Sequence, residues 1–253
     1  MSDLTTSVLT FFLLGSVGLL CMYFHPHLQE HHLDADTSAT VSKIANIFVV
    51  ITSLVFGLLI TSSKNTFEAV DRNIHNYATD LILLDRVFRN YGADAALARQ
   101  ALKAYVSEAI AHPVQTDELE RSGTADTAGQ KLEAVGSAIA SIRPSDSYHE
   151  RLLADVRSQY HDVVRLRWTI VEQSEGAIPS PLIGMLVAWL TLIFASYGYR
   201  APRNAVVVTM LLISATLISA SLYLILDMDF PFNGPIHISY QPYHRVLSEI
   251  EAP

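Results

Sequence analysis

Four stretches of this chain, residues 4–29, 44–63, 176–199 and 204–226, contain no Lys, Arg, Asp or Glu, and each is at least 20 residues long. About 20 residues of α-helix span the roughly 30 Å hydrocarbon core of a bilayer. In lipid, a chain can satisfy its backbone groups only as helices or as a closed barrel, and runs this continuous read as helices. The expected fold class is therefore an all-α integral membrane protein with four transmembrane helices. Between the second and third apolar runs lies a polar stretch, which predicts a soluble helical insertion. The expected organisation is transmembrane helices 1 and 2 over residues 1–63, the insertion over 64–180, transmembrane helices 3 and 4 over 181–227, and a C-terminal tail over 228–253.

A formal charge of -8 argues against a nucleic-acid partner. The single cysteine, Cys21, excludes an intrachain disulfide and any Cys-based metal site, and a buried, inert thiol is expected. The first apolar run lacks a basic leader and a small-x-small cleavage site, so it is expected to stay as a helix. Orientation follows from Lys and Arg near the spans. Arg200 and Arg203 in the short loop before span four favour a cytoplasmic loop and an extracytoplasmic insertion. Lys64 and Arg72 after span two, with Arg167 farther along, weigh the other way.

Gly15 and Gly18 in span one, and Gly184 and Ala188 in span three, are small residues that let helices approach closely, within one chain or between subunits. Trp168, Tyr197 and Tyr199 are candidate interface anchors, whereas Trp189 sits mid-span and is expected to pack. In the insertion, apolar residues recur at three and four, the helical period. Leu81, Leu84, Phe88 and Tyr91 form one stripe, and Leu132, Val135, Ile139 and Ile142 a second. Tyr148, Leu152, Val156, Tyr160, Val163 and Ile170 form a third. Gly92 is expected as a left-handed C-cap, Asp94 as a cap for the next helix, Ser147 with Glu150 as a capping box, and Pro113 and Pro144 as helix stops.

Chemistry concentrates in three places. On span two, Ser53, Gly57, Thr61, Lys64, Glu68 and Arg72 follow at steps of three or four, a stripe that begins small and ends charged. Such a stripe lines a pore if several copies gather around it. It equally describes bundle packing followed by i,i+4 ion pairs on a helix entering water. After span four, Asp227 and Asp229 sit at a helix C-terminus, where carboxylates oppose the macrodipole. A basic partner such as Arg245, a bound cation or plain solvation would answer that. Pro231, Phe232 and Gly234 belong to a run that cannot continue a helix and predicts a tight turn. Finally, His25, His27, His31 and His32 crowd the first loop beside Glu30, Asp34 and Asp36, a donor set that suits Zn, Ni or Cu. His31 and His32 are adjacent rather than one turn apart, and a hydrated titrating loop explains them as well. No metal or cofactor is expected, and with no HExxH, GxSxG, P-loop or dinucleotide fingerprint no enzyme is expected.

The run Ala201-Pro202-Arg203-Asn204-Ala205 before span four, and the run from Leu224 to Ser239 containing Asp227-Met228-Asp229-Phe230-Pro231-Phe232-Asn233-Gly234, resemble the bestrophin-like bacterial membrane proteins. Phe230 stands where family members commonly carry a basic residue, which leaves an acid–base pair inside that motif without support. The resemblance implies four spans, a helical insertion and kinship with pentameric bestrophin anion channels. The expected function is an oligomeric ion channel of the bacterial inner membrane with span two lining the path. Its partners would be the lipid bilayer, further copies of the chain and inorganic ions. The alternative is a membrane-anchored sensing or interaction protein whose insertion binds a partner.

Overall fold

The computed structural model describes residues 3–25, 35–111, 127–174, 176–232, 234–239 and 241–251, which form eight α-helices and one 3₁₀ turn. In chain order the helices are α1 (Asp3–Phe24), α2 (Ala35–Tyr91), α3 (Ala96–Ala111), α4 (Thr127–Ser141), α5 (Ser147–Gln173), α6 (Ser180–Arg200), α7 (Ala205–Asp229) and α8 (Gln241–Glu251). Among the described residues there is no β-strand. Helices α1, α6 and α7 and the apolar part of α2 are each long and apolar enough to cross a membrane, as their charge-free sequences predict. The chain divides into two compact units, one of residues 1–66 and 177–229, the other of residues 67–176 and 230–253.

In the membrane unit α1 packs against both α6 and α7. Leu14, Leu186, Leu190, Phe194, Leu211, Ala215 and Leu222 form its interior, and Leu59 of α2 joins them. Large apolar side chains also face outward in number, among them Leu9, Phe12, Leu54, Leu58 and Leu217. In water that surface would be an aggregation site; in lipid it is the solvated surface. The small residues of span one serve contacts within the chain. A Cβ on Gly18 would lie 3.6 Å from Leu211 and 3.7 Å from Phe194, and one on Gly198 would overlap the Gly18 carbonyl. Gly184 has nothing within 4 Å of its Cβ position, and Ala188 is exposed, so that pair faces away from the unit.

The second unit has its own core. The first two predicted stripes, from Leu81 to Tyr91 and from Leu132 to Ile142, are buried throughout. In the third, Val156, Val163 and Ile170 are buried, Leu152 and Tyr160 are half-buried against the same core and Tyr148 is exposed, while Leu153 and Arg167 join the buried line on α5. Arg167 lies on the same line between Val163 and Ile170, with its guanidinium carbon 5.5 Å from the Trp168 ring centre. Helix α5 starts at Ser147, so the cap is not Ser147 with Glu150. Asp146 is the N-cap, accepting from the Tyr148 and His149 N–H groups at 2.9 and 2.8 Å. Those bonds, with the His149 side chain beside it, hold the Asp146 carboxyl below its ordinary value. Gly92 takes φ 98°, which favours glycine, but ψ -153° is extended rather than left-handed helical. Asp94 sits inside the 3₁₀ turn, Ala93–Ala95, that leads into α3.

The close approach at Gly198 generates a test. Gly198→Ala should destabilise the membrane unit by about 1–3 kcal/mol, because the added methyl meets backbone that cannot move aside. Gly184→Ala, with open space around it, should leave the thermal unfolding midpoint in detergent unchanged.

Candidate functional site

On α2, Ser53, Gly57, Thr61 and Lys64 are all exposed, as is Asn46 two turns earlier on the same face, a residue the sequence stripe does not include. The hydroxyls of Ser53 and Thr61 donate to the carbonyls of Val49 and Gly57 at 2.7 and 2.9 Å, so they present no unsatisfied donor. Nothing lies within 4 Å of a Cβ placed on Gly57. Val50 and Ile60 share this surface and make it apolar between the hydroxyl steps. The opposite face of α2 is a narrow buried line of Ala45, Thr52, Leu59 and Ser63. Farther along, in the second unit, Glu68 is half-buried and Arg72 exposed, with guanidinium and carboxylate 3.8 Å apart. This water-facing i,i+4 contact contributes roughly a few tenths of a kcal/mol, because solvent screens the charges and two long side chains must be held in one geometry.

The acidic pair after span four is buried, Asp227 at 1% and Asp229 at 2% exposure. Asp227 Oδ1 accepts from the Tyr223 hydroxyl at 3.1 Å, one turn back on α7. For Asp229 the sequence points to a basic partner, and the structure supplies backbone instead: Oδ1 accepts from Ala177 N–H at 3.0 Å and Oδ2 from Ile178 N–H at 3.1 Å. These amides lie just ahead of α6, whose own N-cap, Pro179, offers no side-chain acceptor. The carboxylate therefore leaves the negative end of α7 to serve the positive end of α6. Arg245 is exposed on α8. Beyond Asp229 the helix stops as Pro231 requires, Gly234 takes φ 105°, and Ile238 N–H closes the turn onto the Pro231 carbonyl at 3.0 Å. Pro231 is buried and Phe232 half-buried against the core of the second unit.

At the other end of the membrane unit, the Ala201–Ala205 motif holds two caps that the sequence pattern does not reveal. Arg203 Nε donates to the Met22 carbonyl at 3.2 Å, a second guanidinium nitrogen donates to the Tyr23 carbonyl, and the group stacks over the Tyr23 ring at 5.4 Å. This closes the C-terminus of α1 with a cation, the favourable sign for that end. The next residue, Asn204, accepts from Val207 N–H at 2.8 Å and caps the start of α7.

Of the first-loop histidines, His25 is half-buried with its ring 5.0 Å from that of Tyr199. His27, His31 and His32 lie outside the described residues. Among the described residues, no three His, Cys, Asp or Glu side chains gather as metal ligands. Cys21 is half-buried rather than buried.

Asp229→Asn should lower the stability of the purified protein by about 1–3 kcal/mol, because a carboxamide offers one acceptor where two backbone donors converge. Thermal unfolding in detergent reads the change. An unchanged midpoint would show that the two amides find other acceptors.

No curated protein matches the chain. Its fold is similar to the crystal structure of a membrane protein G264A variant, with a TM-score of 0.63 over 96% of both chains at 11% identity. The Bestrophin-like domain matches residues 12–243. A match that runs from within α1 through the other three membrane helices and the motifs on both sides of α7 makes this chain a member of the Bestrophin-like family.

Proposed function

We propose that the chain is an oligomeric ion-conducting membrane protein in which α2 of each copy lines the path. The observation that supports this reading is the outward surface of α2. One exposed strip carries large apolar side chains, Ile47, Leu54 and Leu58, which suit lipid. Beside it runs the strip of Asn46, Ser53, Gly57, Thr61 and Lys64, whose small and hydroxyl-bearing side chains gain nothing from lipid contact. One copy leaves that strip uncovered, and several copies arranged around an axis would turn it towards a shared space. Hydroxyl steps separated by Val50 and Ile60 would make a narrow path with apolar constrictions, which gate by dewetting. Lys64 at its end would set the local field and favour anions.

Two measurements test the reading. In proteoliposomes carrying separate chloride and potassium gradients, the wild type should pass ions, and Gly57→Leu should reduce flux by more than about tenfold, since the added side chain fills a small-residue step of the path, without changing the oligomer mass in native nanodiscs. No wild-type flux, or unchanged flux in an unchanged oligomer, moves the assignment to a membrane-anchored interaction protein that binds through its second unit.

The same proposal includes an extracytoplasmic insertion, argued from Arg200 and Arg203 in the loop after α6. In a Cys21→Ser background, Ser137→Cys, exposed on α4, should react with a membrane-impermeant maleimide added outside intact cells. Reaction only after permeabilisation would reverse the orientation.

A further inference from the structure

Between α1 and α7 the membrane unit carries an open groove of about 620 Å³. Leu19, Leu20, Met22 and Val208 give it apolar walls, Arg203 and Asn204 line it as well, and no Asp or Glu does. On α1 the lining runs from Ser16 to Tyr23, next to the end of that span, and on α7 it runs from Asn204, just ahead of the span, to Val208. Seven residues of helix cover about 10 Å, so the groove opens at the headgroup boundary and descends into the hydrocarbon. Arg203 is exposed yet fixed, because Nε and Nη2 donate to the Met22 and Tyr23 carbonyls and the guanidinium stacks over the Tyr23 ring. Its Nη1 has no hydrogen-bond partner among the described residues, and neither does Nδ2 of the exposed Asn204. Two carbonyls carry only partial charges, so the guanidinium keeps most of its charge for an anion, with its rotamer already set.

We propose that this groove binds an anionic phospholipid, its phosphate paired with Arg203 Nη1 and Asn204 Nδ2 and an acyl chain lying against Leu19, Leu20 and Val208. Charge selects the phosphate, for which a guanidinium is a strong and geometrically matched donor. Charge also selects among phospholipids, since the ammonium of a zwitterionic headgroup would meet the guanidinium with no carboxylate in the groove to receive it. The apolar walls set the source of the phosphate, because a free phosphate or a detached headgroup leaves them uncovered. The site lies on α1 and α7 and stands whether or not α2 lines an ion path.

The test uses the full chain in nanodiscs and a phosphatidylglycerol probe with a photoreactive diazirine on its acyl chain, the labelled peptides being mapped by mass spectrometry. Labelling around Leu19 to Met22 and Ala205 to Val208 should saturate. At matched membrane mole fraction, unlabelled phosphatidylglycerol should displace the probe about three- to tenfold more effectively than phosphatidylethanolamine with the same chains, the effect of one uncompensated charge at the membrane surface. Water-soluble glycerophosphoglycerol, the headgroup without chains, should not displace it. Arg203→Gln, whose amide can still donate to one α1 carbonyl, should keep saturable labelling and erase the preference between the two lipids. Ala205→Trp, which fills the groove and leaves Arg203 in place, should abolish saturable labelling, and it decides the site if Arg203→Gln does not fold. Non-saturable labelling, or labelling equally spread over outward-facing Leu9, Phe12 and Leu217, overturns the proposal. So does a wild type that treats the two lipids alike, displacement by glycerophosphoglycerol, a preference that survives in Arg203→Gln, or saturable labelling that survives in Ala205→Trp.

Discussion

The carboxylate of Asp229 ties the last residue of one membrane helix to the backbone just before another, and the membrane unit depends on that contact. A buried carboxylate at a helix C-terminus is unfavourable twice, through lost hydration and through the macrodipole. The N–H groups of Ala177 and Ile178 answer both at once, and are themselves donors that a lipid-facing chain could not leave unpaired. At the other end of the unit the signs are inverted. Arg203 takes the terminal carbonyls of α1, and Asn204 takes the amide of Val207 in the first turn of α7. With helix ends satisfied by side chains from neighbouring segments, the rest of the unit can be apolar on its inside and outside alike.

Helix α2 meets the core of the membrane unit through Leu59, with Val55 and Phe56 packed partly against it. Its buried line, Ala45, Thr52, Leu59 and Ser63, advances by seven, seven and four residues, so only a narrow face meets the bundle. The exposed side chains of its apolar part, Ile47, Val50, Leu54, Leu58 and Ile60 among them, are available to lipid or to another copy. Lys64 does not by itself demand a water-filled path, because a lysine near the end of an apolar run can carry its ammonium to the interface. The stronger argument is that Ser53, Gly57 and Thr61 share one exposed strip, interrupted by Val50 and Ile60, beside a strip of Ile47, Leu54 and Leu58.

The spans are legible in the sequence because a bilayer imposes a length and forbids charge, and both can be read residue by residue. The core stripes of α2 and α4 are legible for a related reason: their apolar period is unbroken. On α5 the line through Val156, Val163 and Ile170 is legible too, while Arg167, buried on the same line, is a residue that a hydrophobic count passes over. Asp146 rather than Ser147 caps α5, a one-residue difference that propensity cannot settle when both are good caps. The partner of Asp229 is invisible for a deeper reason. Backbone donors exist at every residue, so a search for charge complementarity points to Arg245 while the structure uses two amides 51 and 52 residues away in sequence.

The second unit repeats the device found in the membrane unit with different residues. Asp85, 3% exposed, accepts from Arg89 Nε at 2.8 Å and Arg99 Nε at 2.7 Å. The same two guanidinium groups donate onward to the carbonyls of Glu249 and Ile250 at the end of α8, at 2.9 and 2.8 Å. A cation again serves a helix C-terminus, as Arg203 serves α1. Here, however, the cations are themselves fixed by a buried anion, which would be costly to leave unpaired. The apolar residues of α8, Tyr243, Val246 and Ile250, belong to the same core as α2, α3, α4 and α5. The turn imposed by Pro231 and Gly234 therefore does more than end α7: it delivers a short amphipathic helix whose carbonyl end has two arginines waiting, and whose removal would expose both a core face and a buried charge cluster.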